Sequence, residues 1–491
     1  MYDRKISEFI RTFVSEIQNS NAGIFAGAGL SQPAGYVNWK ELLRDIADEL
    51  GLDVDKEDDL IAVAQYHVNE NGGRGKLNQV LIENFTKDAQ STRNHEILSQ
   101  LPIDTYWTTN YDHLIEDSLR ANNKIVDVKM TPQNLAITKS NADAIVYKMH
   151  GDVQMSDQAV LTKDDYEEYE VTKRRLYSQT LRGELISKTF LFIGFSFDDP
   201  NLSYILSRIR ILLEQDARMH YCFMRKINRE KYSSDTEFTY DQVKQKLKIK
   251  DLQRYKIKVL LVDEYDEITE ILETINYLVK AKNVFISGSA IDYGTWGQER
   301  AFKFSTNLSK EIIKKSHNIV SGFGLGIGSC IVSGALEELY DSKAKSVEER
   351  LKARPFPQAT TGKMEISELW TKYRQDMLSN VGIAVFMFGN KKQPDSEKIK
   401  DATGMIEEFE ISLENGIVPI PIGATGFTAL KLWERVMGDY DKIIGIKSLK
   451  PYFEQLGDTK KSDEELLSLT TNLINEIIKA KISEGMGVHG S

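Results

Sequence analysis

Five polar side chains share one sequence context. Ser31, Asn110, Asp112, His150 and Ser196 each lie just past a short apolar run that reads as a β-strand. A histidine titrates near neutrality and so suits a base, while an asparagine amide can orient a hydroxyl or a water. The first cluster, Asn21-Ala22-Gly23-Ile24-Phe25-Ala26-Gly27-Ala28-Gly29-Leu30-Ser31, runs from a buried strand straight into a glycine turn. Two glycines flanking Ala28 let the backbone approach a ligand closely and turn its N–H groups toward an anion, which a dinucleotide pyrophosphate requires. No G-x-G-x-x-G is present there, and no Gly-Lys-Ser/Thr follows, so neither a dehydrogenase fingerprint nor a P-loop is indicated. A glycine turn after a strand also serves as a plain connection, and an Asn or Asp there as a helix cap. The ordered recurrence of such clusters favours a site.

The elements that must position these groups alternate along the chain. Ile6, Phe9, Ile10, Phe13 and Ile17 recur at helical spacing. Helices are predicted over 39–50, 60–68 and 77–85, with another beginning near His113. Strands are predicted over 104–108, 144–149, 190–193, 221–224 and 256–261. The third and fourth strands, counting the glycine-turn strand as the first, end on His150-Gly151-Asp152 and on Gly194-Phe195-Ser196-Phe197-Asp198-Asp199-Pro200-Asn201. Strands alternating with helices predict a doubly wound parallel sheet, and open sheets of this kind bind ligands beyond the carboxyl ends of their strands.

The order Gly27-Ala28-Gly29-Leu30-Ser31, Thr109-Asn110-Tyr111-Asp112, Lys148-Met149-His150-Gly151-Asp152 and Gly194-Phe195-Ser196 resembles that of sirtuin-type NAD-binding domains. The resemblance covers about the first 280 residues. It implies that NAD is bound by Ala28, Gly29, Ser31, Asp112, Gly194, Ser196 and Asp199, with Asn110 and His150 catalytic. Protein-deacylating sirtuins carry a four-cysteine zinc module, which Cys222 and Cys330 alone cannot supply, so no metal is expected. The segment Gln32-Pro33-Ala34-Gly35-Tyr36 also lacks the arginine of the deacylase pattern. What remains is cleavage of the nicotinamide–ribose bond with water as acceptor. The other six histidines, His67, His95, His113, His220, His317 and His489, are expected to be structural.

The second half restarts with Asn283-Val284-Phe285-Ile286-Ser287-Gly288-Ser289-Ala290, again a strand and a glycine turn. Helices over 299–315, 330–339, 365–378, 399–414 and 464–482 alternate with strands over 318–320, 381–388 and 417–422. The glycine-rich turn 321–329 precedes a helix, a context that suits a phosphate or ribose. No candidate base stands beside a candidate nucleophile, so this half is expected to bind rather than catalyse. Ser321-Gly322-Phe323-Gly324-Leu325-Gly326 and Lys372-Tyr373-Arg374 resemble the SLOG family of nucleotide-sensing domains. A sirtuin-type domain ahead of a SLOG domain is the architecture of the NAD-consuming effectors of bacterial Thoeris anti-phage defence. That resemblance implies a cyclic ADP-ribose isomer, made by a TIR-domain partner protein, as the activator. Its pocket would comprise Ser287, Gly288, Ser289, Phe356, Arg374, Lys391 and Glu408. It also implies a homo-oligomer, a tetramer.

The expected organisation is therefore α/β with two Rossmann-like domains: a sirtuin-type catalytic domain over 1–282, a SLOG sensing domain over 283–482 and a flexible tail over 483–491. A net charge of −10 disfavours non-specific nucleic-acid binding. No apolar run approaches the roughly 20 residues of a membrane-spanning helix, so no membrane partner is expected. Two cysteines fit a reducing cytoplasm. The alternatives are a non-catalytic nucleotide-sensing or assembly module, which would leave NAD intact, and an NAD-dependent deacylase, which would consume an acylated peptide.

Overall fold

The computed structural model describes residues 2–197, 199–213, 216–344, 346–393 and 398–484. The tail 485–491 and Asp198 lie outside the described residues. The chain packs as two compact units, one spanning Asp3–Asn276 and one running on from Tyr277. Among the described residues no helix is long and apolar enough to cross a membrane.

The first unit is built on seven parallel strands. These are β1 (Ala22–Ala26), β2 (Thr105–Thr108), β3 (Val126–Lys129), β4 (Ala144–Lys148), β5 (Thr189–Ile193), β6 (His220–Arg225) and β7 (Ile257–Val262), in the order β3-β4-β2-β1-β5-β6-β7. Every residue of β1, β2 and β5 is buried, as expected of strands covered on both faces. Trp107 of β2 stacks on Tyr147 of β4 at 4.3 Å between ring centres. The N-terminal helix Arg4–Gln18 starts where Asp3 accepts from the Ile6 N–H at 2.8 Å. Its buried Phe9 packs on Tyr221 of β6 at 4.7 Å.

One expectation for the first unit needs correction, and one strand, β3, is absent from the sequence reading. The helix predicted over 39–50 is broken at Leu43, where ψ is 4°, into Trp39–Leu42 and Arg44–Glu49. β3 carries no continuous apolar run; Asp127 and Lys129 alternate with Val126 and Val128, and the two charges pair at 2.7 Å. An edge strand of that composition has too weak an apolar signal to be read from the chain.

The second unit has a smaller parallel sheet. Its strands are β8 (Asn283–Ser289), β9 (Asn318–Ser321), β10 (Leu351–Ala353), β11 (Ile383–Phe388) and, after a short hairpin of β12 (Asn390–Lys392) and β13 (Ile399–Asp401), β14 (Val418–Pro421). The sheet order is β10-β9-β8-β11-β14, with β8 central. The helix predicted from Ile399 begins only at Thr403, because residues 399–401 pair with β12 instead. The helix Asp463–Glu484 starts with a capping box: the Glu465 N–H donates to Ser462 Oγ at 3.2 Å, and the Ser462 N–H donates to Glu465 Oε2 at 2.8 Å.

Candidate functional site

The loops that leave β1, β2, β4 and β5 are stitched together at the carboxyl edge of the first sheet. The Gly27 N–H donates to Ile193 O and the Gly29 N–H to Gly194 O, each at 2.9 Å. Gly194 has φ +63°, and a Cβ there would run into Leu30 N and lie 2.6 Å from Gly29 C. A Cβ on Gly29 would in turn sit 2.9 Å from Gly194 Cα. These glycines are thus demanded by loop-on-loop packing, and two of the amides expected to face an anion already have protein acceptors. The Ala28 amide stays clear of those loop–loop bonds.

Asn110 is held by the same turn. Its Nδ2 donates to Gly27 O at 3.1 Å and to Ser31 Oγ at 3.0 Å, which leaves Oδ1 as the atom to meet a substrate or a water. Asp112 accepts from the Leu114 N–H at 3.0 Å through Oδ1, so it does secure the first turn of the helix Leu114–Ala121. Its Oδ2, however, is buried with no hydrogen-bond partner. Ser196 lies exposed at the rim.

His150 is 2% exposed and leans on Asp199, with Nε2 3.0 Å from Asp199 Oδ2. Both ring nitrogens are buried and neither makes a hydrogen bond, so the Asp199 contact is an ion-pair approach to Nε2. Asp199 also accepts from the Tyr166 hydroxyl at 3.1 Å and gives Oδ1 to the Leu202 N–H at 2.8 Å. Burial pushes the Asp199 carboxyl upward, but His150, the Leu202 amide and the Tyr166 hydroxyl together hold it below the usual carboxylate range. The ring edges of Tyr166 and Tyr169 close over the imidazole at 5.7 and 6.4 Å. Tyr169 opens a single π-helical turn, Tyr169–Lys173, a feature common at functional sites.

A second layer of charge sits beneath these loops. Lys148, at the end of β4, is fully buried, 3.2 Å from Glu116 Oε1 and 3.4 Å from Asp152 Oδ2, and it donates to the Asp112 carbonyl. His113 Nε2 reaches Asp152 Oδ1 at 2.9 Å; that bond, more than the opposing burial, raises the imidazole above its ordinary value. Burial raises the Glu116 carboxyl despite Lys148.

Of the residues expected to hold the activator in the second unit, Ser287, Glu408, Arg374 and Phe356 meet at the carboxyl end of β8. Ser287 Oγ donates to Glu408 Oε2 at 2.6 Å, and Arg374 Nε lies 3.5 Å from Glu408 Oε1. The Arg374 guanidinium stacks over Phe356 at 4.7 Å. Gly322 of the glycine-rich turn is required here, because a Cβ would meet the Phe356 ring at 2.7 Å. Lys391 Nζ donates to Thr403 Oγ1 at 2.7 Å. Its ammonium is lowered by burial and then by the neighbouring cations Lys400 and Arg374. Burial pushes Glu408 up to about 7 against the pull of Ser287 and Arg374. Gly288 and Ser289 end β8, with Ser289 Oγ 3.5 Å from Asn390 O.

Comparison with known proteins follows the same division. Residues 267–478 match the Sir2- and TIR-associating SLOG family, and residues 104–249 match a SIR2-like domain. The chain is 48% identical to NAD(+) hydrolase ThsA of Cytobacillus dafuensis over 95% of its length and 96% of that protein. It is 49% identical to NAD(+) hydrolase ThsA of Bacillus cereus (strain MSX-D12) over 94% of its length and 96% of the relative. It is 47% identical to that of Acinetobacter baumannii (strain 532279) over 98% and 100% respectively. The chain belongs to the ThsA family.

In this member of the ThsA family, several partners of the site residues carry little signal in the sequence. Glu407 takes the tightest contact with Arg374, Nη1 to Oε2 at 2.8 Å, yet it looks like any acidic helix residue. Tyr166 and Glu116 likewise lie on ordinary helical stretches. Lys148 did carry a signal: it closes the apolar run Ala144-Ile145-Val146-Tyr147, where an ammonium must be buried and therefore paired.

Proposed function

We propose that the chain hydrolyses NAD to nicotinamide and ADP-ribose in the first unit, with the domain limits 1–282 and 283–482, and that a cyclic ADP-ribose isomer bound in the second unit switches the reaction on. Depletion of NAD would be its part in anti-phage defence, with the activator coming from a TIR-domain partner. The observation that carries this reading is His150. It is a buried imidazole whose Nε2 lies 3.0 Å from the Asp199 carboxylate and whose two nitrogens make no hydrogen bond, on the same sheet edge as an Asn110 fixed by Ser31 and Gly27.

Nicotinamide leaves as a neutral pyridine, so the leaving group needs no strong acid. Charge develops on the ribose as an oxocarbenium ion, as in glycoside hydrolysis. The C–N bond breaks with its electron pair going to nicotinamide, water forms the new C–O bond, and His150 takes the proton that water loses. Asn110 Oδ1 orients the ribose or that water. Ala28, Gly29, Ser31, Asp112, Gly194, Ser196 and Asp199 frame the dinucleotide. Water, not an acylated lysine, is the acceptor in this reading, since each unit contributes a single buried cysteine and no zinc module can form from them.

The sensing pocket uses Arg374 and Lys391 for the pyrophosphate and Ser287, Gly288, Ser289, Phe356 and Glu408 for ribose and base. Arginine offers a planar fork for this task. Gating is supported by burial: Ser31, Asn110, Asp112 and His150 are all at most 6% exposed, so a dinucleotide reaches them only when the loops part. An activator achieves this by binding the open arrangement more tightly than the closed one. We place this switch in a homotetramer. Incubation with NAD and a cyclic ADP-ribose isomer should release nicotinamide and ADP-ribose in equal amounts, and Asn110→Ala should abolish release. NAD left intact under every condition would overturn the reading in favour of a sensing module.

A further inference from the structure

The environment of His150 contains more than a substrate site. We propose that Tyr166, Asp199 and His150 form a relay in which Asp199 fixes the imidazole with its proton on Nε2 and holds the positive charge when Nδ1 accepts a proton from water. The proposal rests on the hydrolase reading above and gives Asp199 a positioning role in place of a contact with the dinucleotide.

The geometry supports each link. The Asp199 side chain is 8% exposed and stands 3.0 Å from Nε2, so a carboxylate faces that nitrogen in a setting where water screens little. Both Asp199 oxygens are already used, Oδ1 by the Leu202 amide and Oδ2 by the Tyr166 hydroxyl together with the imidazole. The two hydrogen bonds, from the Leu202 amide and the Tyr166 hydroxyl, fix the direction from which the carboxylate meets the ring. A carboxylate so engaged stays ionised, as its lowered titration also indicates. Neither ring nitrogen makes a hydrogen bond in the resting geometry, but Nε2 is the one within reach of the carboxylate, at 3.0 Å; placing the proton there leaves the lone pair on Nδ1, with alignment to Asp199 tightening when substrate binds.

The other groups around His150 do not do this work. Tyr169, on the π-helical turn, presents a ring edge and gives its hydroxyl to Met149 O at 3.1 Å. The Arg174 guanidinium binds the Lys148 carbonyl at 3.2 Å, and as a cation it opposes a charged imidazole, as does Lys148 itself. Asp152, two residues along, is engaged by His113 and Lys148. Asp199 is therefore the anion in position to stabilise the imidazolium.

During turnover the proton passes from the attacking water to Nδ1 while the nicotinamide–ribose bond breaks, and it leaves to solvent after the products separate. Asp199 is unchanged throughout. Removing its charge destabilises the imidazolium, so the base becomes weaker.

The test is a pH–rate profile for nicotinamide release in the full-length protein at saturating activator, for the parent, Asp199→Asn, Tyr166→Phe and His150→Ala. Asp199→Asn should lower kcat by on the order of 100-fold and move the acid limb of the profile to lower pH, while KM for NAD changes little. Tyr166→Phe should shift both in the same direction, with a few-fold loss of kcat. Should Asp199→Asn fail to melt as a folded protein, Tyr166→Phe carries the test alone. Turnover equal to or above the parent's with an unmoved acid limb would overturn the relay and make Asp199 a resting occupant of the base's position. Full turnover in His150→Ala would instead overturn the hydrolase assignment of His150, a separable failure.

Discussion

Replacing Lys148 with methionine tests whether the buried charge beneath the catalytic loops supports them. Lys148 has no exposed surface, and its ammonium is raised because Glu116 and Asp152 outweigh the burial that would lower it. Methionine fills similar volume but leaves Glu116 and Asp152 buried with their shared cation gone. Removing one partner of a buried pair costs about 3–5 kcal/mol. Two features set where in that range the loss falls. Asp152 retains His113 at 2.9 Å, so its penalty is partly offset. Glu116 has no hydrogen-bond partner on either oxygen, so it must take up a proton instead. A carboxyl whose folded-state titration lies above its unfolded value contributes stability at low pH that is lost as pH rises. Lys148→Met should therefore be weakest at alkaline pH and recover part of the deficit on acidification. Adding Glu116→Gln should restore more than half of the loss at pH 8. Urea titration of the first unit's transition at pH 6 and pH 8 reads all of this. A Lys148→Met protein within about 0.5 kcal/mol of the parent at pH 8 would refute the reasoning, since that is the range of an ordinary surface change.

Gly194→Ala should be severe for its size. A left-handed backbone costs an L-residue about 1–2 kcal/mol and overpacking about 1–3 kcal/mol more, while the Gly29–Gly194 bond is pushed apart. A lower melting temperature with at least a tenfold loss of nicotinamide release is the expected result. Glu408 provides a pH signature in the second unit. Its carboxyl is raised from 4.5 to about 7, so the folded state binds a proton that the unfolded chain has released. Stability from this group is fully present below about pH 4.5 and falls by about 3 kcal/mol as pH rises through 7. Glu408→Gln should flatten that fall in thermal melts taken at pH 5 and pH 8.

Much of this arrangement is legible in the chain because chemistry and strand ends coincide. The apolar runs around Ile24, Trp107, Val146 and Phe192 mark the central strands, each followed by a polar cluster, and those strands are neighbours in the sheet. Ser31 and Asn110 do meet, as their placement after adjacent strands predicts. The role of the glycines was harder to read. Gly29 and Gly194 are far apart in sequence, and only the folded loops reveal that each excludes a side chain from the other. The contact of Asp199 with His150 is hidden for the same reason, since it joins loops after β4 and β5 that sit on either side of β2 and β1. In the second unit Arg374 and Glu408 stand out by type, whereas Glu407 acquires meaning only from the helix face that turns it toward the guanidinium.

The central claim is an NAD hydrolase in the first unit controlled by a ligand in the second. One measurement addresses it most directly: nicotinamide release from NAD with and without cyclic ADP-ribose isomers, for the parent, His150→Ala and Arg374→Ala. The account predicts release from the parent on addition of one isomer, none from His150→Ala at any concentration, and no activation of Arg374→Ala. Release from His150→Ala, or a normal response to the isomer in Arg374→Ala, would contradict it.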